Sequence, residues 1–314
     1  MKRASFYSVL TLMSALPSVA TQSRASDFLW VANETNYGAG TVSKIAASPF
    51  PTPPTYREVA RYATVTCQSD PINGNKEGAV FSFTQPFGAC SDGVHGCCSR
   101  AESVPGANGM HQPVNLTENR PSRTAVDVNG DAWVANSALG ALQSSVTKIA
   151  NSIADCVDRN GNGSIQTSAD VNGDGIISTD CNDDAVADDG ATVCSFGRVK
   201  EFWGLDDECI LFTVNTGAVG QWGRSLALGK GTTDTGPADA WAGTYQDGKF
   251  YRIDGGNGAI KTTVSLGVQG VVSPRPFGAA IDQFGILWAP NLATEGSCPG
   301  GGCLFYFDTN NPAS

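Results

Sequence analysis

Ala125-Val-Asp-Val-Asn-Gly-Asp-Ala-Trp-Val-Ala-Asn136 decides the fold, because the chain writes it again. Ala280-Ile-Asp-Gln-Phe-Gly-Ile-Leu-Trp-Ala-Pro-Asn291 keeps Ala, Asp, Gly, Trp and Asn at one constant offset. Asp27-Phe-Leu-Trp-Val-Ala-Asn33 repeats the second half, and Asp239-Ala-Trp-Ala-Gly243 repeats it once more. The fourth copy is preceded by Arg224-Ser-Leu-Ala-Leu228, where the first has Arg123-Thr-Ala-Val-Asp127. A second apolar run follows each Trp: Val42–Ile45, Val146–Ile149, Phe250–Ile253 and Leu304–Phe307. Further β-rich runs lie at Glu58–Thr66, Ile210–Asn215 and Ile260–Leu266.

Each copy reads as a four-stranded antiparallel unit. Ala-x-Asp supplies an inner strand, and Asn-Gly or Phe-Gly turns the hairpin. The Trp strand comes next, then the Lys-Ile strand, with a fourth outside. One such sheet cannot bury both faces alone, so the units must stack. The expected fold is all-β, a β-propeller of four-stranded blades. Four blades are recognisable, and the last stops near Asp308 before its outermost strand. That reads as a C-terminally incomplete chain, with degenerate blades inside the insertions as the alternative.

Composition agrees. Of 314 residues, 41% are hydrophobic and 16% charged, with 37 Gly and 16 Pro. Turn residues at that level exclude a long-helix protein, and Gly without a period of three excludes collagen. The formal charge is -10. A binder of bulk nucleic acid is excluded on that balance, because phosphate neutralisation needs Lys and Arg.

Lys2 and Arg3 precede an apolar run, Phe6–Val19, too short to span a membrane. Residues 1–20 therefore read as a signal peptide, with a second cleavage site after Ala25. The expectation is a secreted protein, extracellular or periplasmic, with no membrane span. Ten cysteines, an even number, suit an oxidising compartment. Cys298 and Cys303 flank a Pro-Gly-Gly-Gly loop and form the safest pair. Cys67, Cys90, Cys97 and Cys98 make a second group; Cys156, Cys181, Cys194 and Cys209 a third. Pairing within these groups stays open, Cys156 with Cys181 being one hypothesis.

The propeller spans 27–314 and carries two insertions. Residues 68–120 read as a Cys-rich loop region, with Ala79–Phe83 as a strand. Residues 151–210 hold an acidic tandem. Asp158-Arg-Asn-Gly-Asn-Gly-Ser-Ile and Asp170-Val-Asn-Gly-Asp-Gly-Ile-Ile repeat at a twelve-residue step. Oxygen side chains stand at positions 1, 3 and 5: Asp158, Asn160 and Asn162, then Asp170, Asn172 and Asp174. Gly163 and Gly175 stand at position 6, where a loop around a hard cation turns sharply, and Ser164 follows in the first copy. A weaker third copy offers Asp180, Asn182, Asp184 and Asp188, with Ala185 in place of the glycine. From Asp155 to Asp189 there are nine acids and one base, so the segment repels itself without cations. Oxygen-only, flexible ligands favour Ca2+ over Mg2+. Position 12 holds Ala169 and Cys181 instead of a bidentate Glu, which points to a weak extracellular site of about 10⁻⁴–10⁻³ M.

The Asp-x-x-Gly-x-x-Trp-Val-x-Asn motif with its Val-x-Lys-Ile strand resembles virginiamycin B lyase-like and NHL-like propellers of secreted bacterial proteins. The match covers 27–50, 121–150 and 222–310. The acidic tandem resembles calcium repeats of thrombospondin type 3 or dockerin-like segments. There one acid cluster completes its neighbour's shell, so Asp170 would serve both loops. Propellers of this kind support binding scaffolds and enzymes alike. The lyase relatives use a histidine and a metal-binding acid, but His95 and His111 both fall in the first insertion. A lactone hydrolase would hold a central metal through groups such as Asp127, Asn136, Asp282 and Asn291. Those residues also suit turn backbone groups at strand ends. Arg123, Arg224 and Arg275 suit either a ligand at the propeller centre or ion pairs with the blade Asp. The reading is a non-catalytic calcium-binding scaffold for a protein or carbohydrate ligand. The alternative is a metal-dependent propeller enzyme.

Overall fold

The computed structural model describes residues 28–33, 40–48, 55–64, 77–81, 103–105, 111–113, 120–139, 143–177, 201–203, 207–229, 237–266, 274–292 and 303–312. The described residues are all-β apart from one 3-10 turn at Ile153–Asp155. The strands make four antiparallel sheets and a separate hairpin, and none of the sheets closes on itself.

Sheet 1 is β1 (Phe28–Asn33), β2 (Thr41–Ser48) and β3 (Thr55–Ala63), in that order. β4 (Val80–Phe81) comes from the first insertion, as does the hairpin of β5 (Ser103–Pro105) and β6 (His111–Pro113). Sheet 2 is β7 (Pro121–Val126), β8 (Ala132–Asn136), β9 (Ser145–Ile149) and β10 (Ile210–Asn215), with β4 added outside β10. Sheet 3 is β11 (Gly223–Leu228), β12 (Ala240–Thr244), β13 (Lys249–Ile253) and β14 (Ile260–Ser265). Sheet 4 is β15 (Ala280–Ile281), β16 (Ile286–Pro290) and β17 (Leu304–Asp308). The repeat thus reads directly into β7–β8, β11–β12 and β15–β16, while sheet 1 begins at its Trp strand.

The turn chemistry works as the residues require. Gly130 and Gly285 sit at φ 85° and 84°, which only glycine adopts cheaply. Each donates its N–H to the Asp three residues back, Asp127 O at 2.9 Å and Asp282 O at 3.0 Å.

Alternation along each strand gives every sheet two apolar faces. Sheet 1 packs Trp30, Val42, Ala60 and Tyr62 against Ala132, Val134 and Ile149 of sheet 2. The other face of sheet 2, with Trp133, Val146 and Phe212, packs on Ala240, Ala242 and Tyr251 of sheet 3. Trp241 and Phe250 of sheet 3 then meet Leu287, Ala289, Phe305 and Phe307 of sheet 4. Each buried Trp therefore faces the sheet that follows it in the chain. Trp133 meets Phe212 edge-on at 5.6 Å, and Trp241 meets Phe307 edge-on at 5.2 Å.

The sheets converge at one end. Arg123 of β7 donates Nη2 to Phe277 O, just before β15, at 2.9 Å. Face-to-face sheets lie about 10 Å apart, so two sheets separated by a third would stand near 20 Å apart if stacked flat. One arginine thus bridges sheet 2 and the segment that leads into sheet 4. Arg123 and Arg224 both lie over the Phe277 ring, at 4.9 and 5.3 Å, and Arg275 lies over Tyr245 at 5.5 Å.

Candidate calcium-binding insertion

The acidic tandem leaves sheet 2 after β9 and returns to it at β10. Both strong loops are wound alike. Asp158 Oδ1 accepts the Gly161 N–H at 2.8 Å, and its Oδ2 accepts the Gly163 N–H at 2.8 Å. Asp170 Oδ1 accepts the Gly173 N–H at 2.7 Å, and its Oδ2 accepts the Gly175 N–H at 3.0 Å. Position 1 thus gathers the N–H groups of positions 4 and 6 in each copy. All four glycines have positive φ, between 68° and 86°. Position 3 repeats the device at shorter range: Asn160 Oδ1 accepts from Asn162 N at 3.0 Å, and Asn172 Oδ1 from Asp174 N at 2.8 Å. Position 5 accepts the N–H of position 7: Ser164 N to Asn162 Oδ1 at 2.9 Å, Ile176 N to Asp174 Oδ1 at 2.8 Å.

Two residues that sequence reasoning did not single out complete the loops. Glu208 Oε1 accepts the Arg159 and Asn160 N–H groups at 2.9 and 3.4 Å, and its Oε2 accepts from Gln166 N at 2.7 Å. Glu201 Oε1 accepts the Val171 and Asn172 N–H groups at 3.0 and 3.1 Å. Positions 2 and 3 of each loop therefore receive one buried glutamate from the returning segment. A separation of some forty residues hides this from any local motif. The only sequence signal for it is the acids Glu201, Asp206, Asp207 and Glu208 close to the return into β10.

The insertion docks on sheet 1. Glu58 N donates to Gly175 O at 3.0 Å, and Asp170 N donates to Val59 O at 3.3 Å, along the outer edge of β3. Arg61 N donates to Ser168 Oγ at 2.9 Å. Arg57 Nε pairs with Asp170 Oδ2 at 2.7 Å. Burial alone would raise the Asp170 pKa, but the Arg57 guanidinium and the Gly173 and Gly175 N–H groups hold it below the usual carboxylate range. Glu58 is likewise held low: Arg61, Ser43 and the Ile177 N–H outweigh its burial. Ile177, at position 8, is buried in the core between sheets 1 and 2, and Ile165 packs against the same core. The two position-8 isoleucines therefore anchor the loops into the fold.

Cys156 and Cys209 form a disulfide, 53 residues apart, at the neck of the insertion. Of the pairings left open within the group, this one rules out Cys156 with Cys181. The reason is the backbone: Ala150 N donates to Cys209 O and Val157 N to Glu208 O, so the chain that enters the insertion runs beside the chain that leaves it. Cys303 is also disulfide-bonded. Asp207, beside the bridge, is fully buried; burial lifts its pKa to about 6 against N–H donation from Cys209 and Ser168.

The donor set fits a hard cation in chemistry. It is oxygen-only, on glycine-turned loops whose backbone is already wound. It is poor in charge: among the described residues no three His, Cys, Asp or Glu side chains gather to share a metal. A cation there would have to draw on the carboxamides of Asn160, Asn162 and Asn172 and the Ser164 hydroxyl beside Asp158, Asp170 and Asp174. Asp180, Asn182, Asp184 and Asp188 lie outside the described residues, as do residues 1–27 and His95.

Of the residues weighed for catalysis, the two Asp hold turns and the two Asn tie neighbouring segments together. Asp127 Oδ1 accepts from Asn129 N and Asp131 N, and Oδ2 accepts from Trp133 Nε1 at 3.3 Å. Asp282 Oδ1 accepts from Phe284 N and Ile286 N, and Oδ2 accepts from Trp288 Nε1 at 3.0 Å. Asn136 Nδ2 donates to Ser145 and Thr147, and Asn291 Oδ1 accepts the Arg275 N–H. Arg123 spends its donors on the Ser122 and Phe277 carbonyls, where an ion pair with a repeat Asp was one expectation.

The chain matches no known protein family and no curated protein. No helix among the described residues is long and apolar enough to cross a membrane.

Proposed function

We propose that the chain is a secreted, calcium-binding β-propeller that serves as a binding scaffold for a protein or carbohydrate ligand. The observation that carries the calcium reading is the shared winding of 158–166 and 170–177. Two loops of different sequence fold the same hydrogen bonds around positions 1, 3 and 5. The radial reading is supported by Arg123 spanning from sheet 2 to Phe277, which draws the first strands toward one line. Asp158, Asn160, Asn162 and Ser164 would hold one ion, and Asp170, Asn172 and Asp174 a second. A bound cation would neutralise the loops and stiffen the insertion against β3. We assign the ion a structural role, because the loop side chains wind the loops and dock them on β3.

The test is calcium titration by calorimetry on the protein and on an Asp158→Ala, Asp170→Ala, Asp174→Ala variant. Binding that vanishes in the variant is expected. Binding that survives would move the metal elsewhere and favour a propeller enzyme. No binding in either protein would leave the insertion a metal-free acidic loop and overturn the calcium reading.

A further inference from the structure

The chain makes one kind of sheet junction three times. The Trp face of one sheet meets, on the next, the residues that flank its Trp. Those receiving residues pair in one register: Ala132 with Ile149, Ala240 with Ile253, Leu287 with Phe307. At the two ends of the stack this junction is left half made. Trp288 is 36% exposed, whereas Trp133 and Trp241 are 0% and 1% exposed. Its cross-strand partner Tyr306 is 60% exposed, with Leu304 beside it. Yet the Trp288 indole is held as Trp133 is, by donation to the Asp six residues before it. At the other end Leu29 and Val31 are 51% and 41% exposed, where their counterparts Ala132 and Val134 are wholly buried. Leu29 pairs with Ile45, in the register of the three finished junctions.

We propose that these faces dock on each other between two copies of the chain, head to tail, closing a ring of eight sheets. A second copy is the fitting occupant because each open face is the half that the other lacks. The junction they would form is already built three times inside one copy. Four sheets from each copy give eight, within the four to eight blades typical of propellers; three copies would exceed it. The sheet count rests on the radial reading above, while the face-to-face docking does not. A head-to-tail contact that failed to close would grow into filaments.

Sedimentation velocity of the purified chain should give twice the chain mass. Leu29→Asp and Trp288→Asp should each weaken the dimer at least about thirtyfold, as loss of a central anchor does. Both sites are exposed in a single copy, so far-UV circular dichroism should stay native. Mixing the two variants should restore a two-chain species, because each keeps the half that the other has lost. A chain that stays single, a dimer indifferent to both substitutions, or a mixture that fails to pair would each overturn the docking, and an open-ended series would overturn the closed two-copy ring. Particle images of the dimer read the other premise: a dimer with no central channel defeats the radial reading and leaves the docking standing.

Discussion

Sheets 1 and 2 start from the same repeat and are held in different ways. In sheet 2 the first strand, β7, leads to Asp127, which receives Trp133 Nε1 and lies 3.5 Å from Lys148 Nζ. Asp131 flanks the same ammonium at 3.3 Å. Sheet 1 has no counterpart of β7 among the described residues. Trp30 Nε1 is buried and donates to nothing there. Lys44, the counterpart of Lys148, donates to Asn151 O at 2.6 Å and lies over the Phe28 and Trp30 rings. Burial pushes its pKa down to about 8, against the pull of Asp131. What sheet 1 has instead is the insertion on its outer edge. Sheet 2 is thus completed from within and sheet 1 is braced from without.

That contrast can be broken at Lys148. Lys148→Met leaves Asp127 and Asp131 buried without their cation, and should cost about 3–5 kcal/mol in denaturant unfolding. Lys44→Met strands no carboxylate and should cost less than about 1 kcal/mol at neutral pH. Equal losses would mean that the two positions are not distinguished by the first strand. Replacing Cys156 and Cys209 together by Ser should cost about 2–5 kcal/mol and loosen the insertion before sheets 3 and 4. A uniform loss of protection across all four sheets would contradict the local brace. The smallest effect sharpens the role of Lys44. Its folded pKa lies below its unfolded value, so the folded state disfavours the charged form. Stability should therefore rise as pH climbs from about 8 toward 10.5, and Lys44→Met should lack that rise.

Much of this was legible in the sequence, for a physical reason. The repeat fixes strand, turn and register together, since Ala-x-Asp, a turn glycine and a Trp each have one place to go. So β8, β12 and β16 follow from the Trp, and the Asp residues fall into turns. Gly163 and Gly175 were equally readable, because the sharp turn at position 6 needs the positive φ that they adopt. The illegible parts are long-range. Glu201 and Glu208 reach the loops from a distant segment, and Cys209 outcompetes Cys181 because two backbone segments run side by side. Arg123 reaching Phe277 joins residues 154 positions apart, which no local pattern encodes.

The most direct test of the calcium brace is hydrogen exchange of the protein in calcium and in chelator. The Glu58 and Arg61 amides of β3, which donate to the insertion, should exchange more slowly with calcium. The β13 amides of sheet 3 should not change. Equal exchange at Glu58 and Arg61 under both conditions would contradict the coupling of the loops to sheet 1.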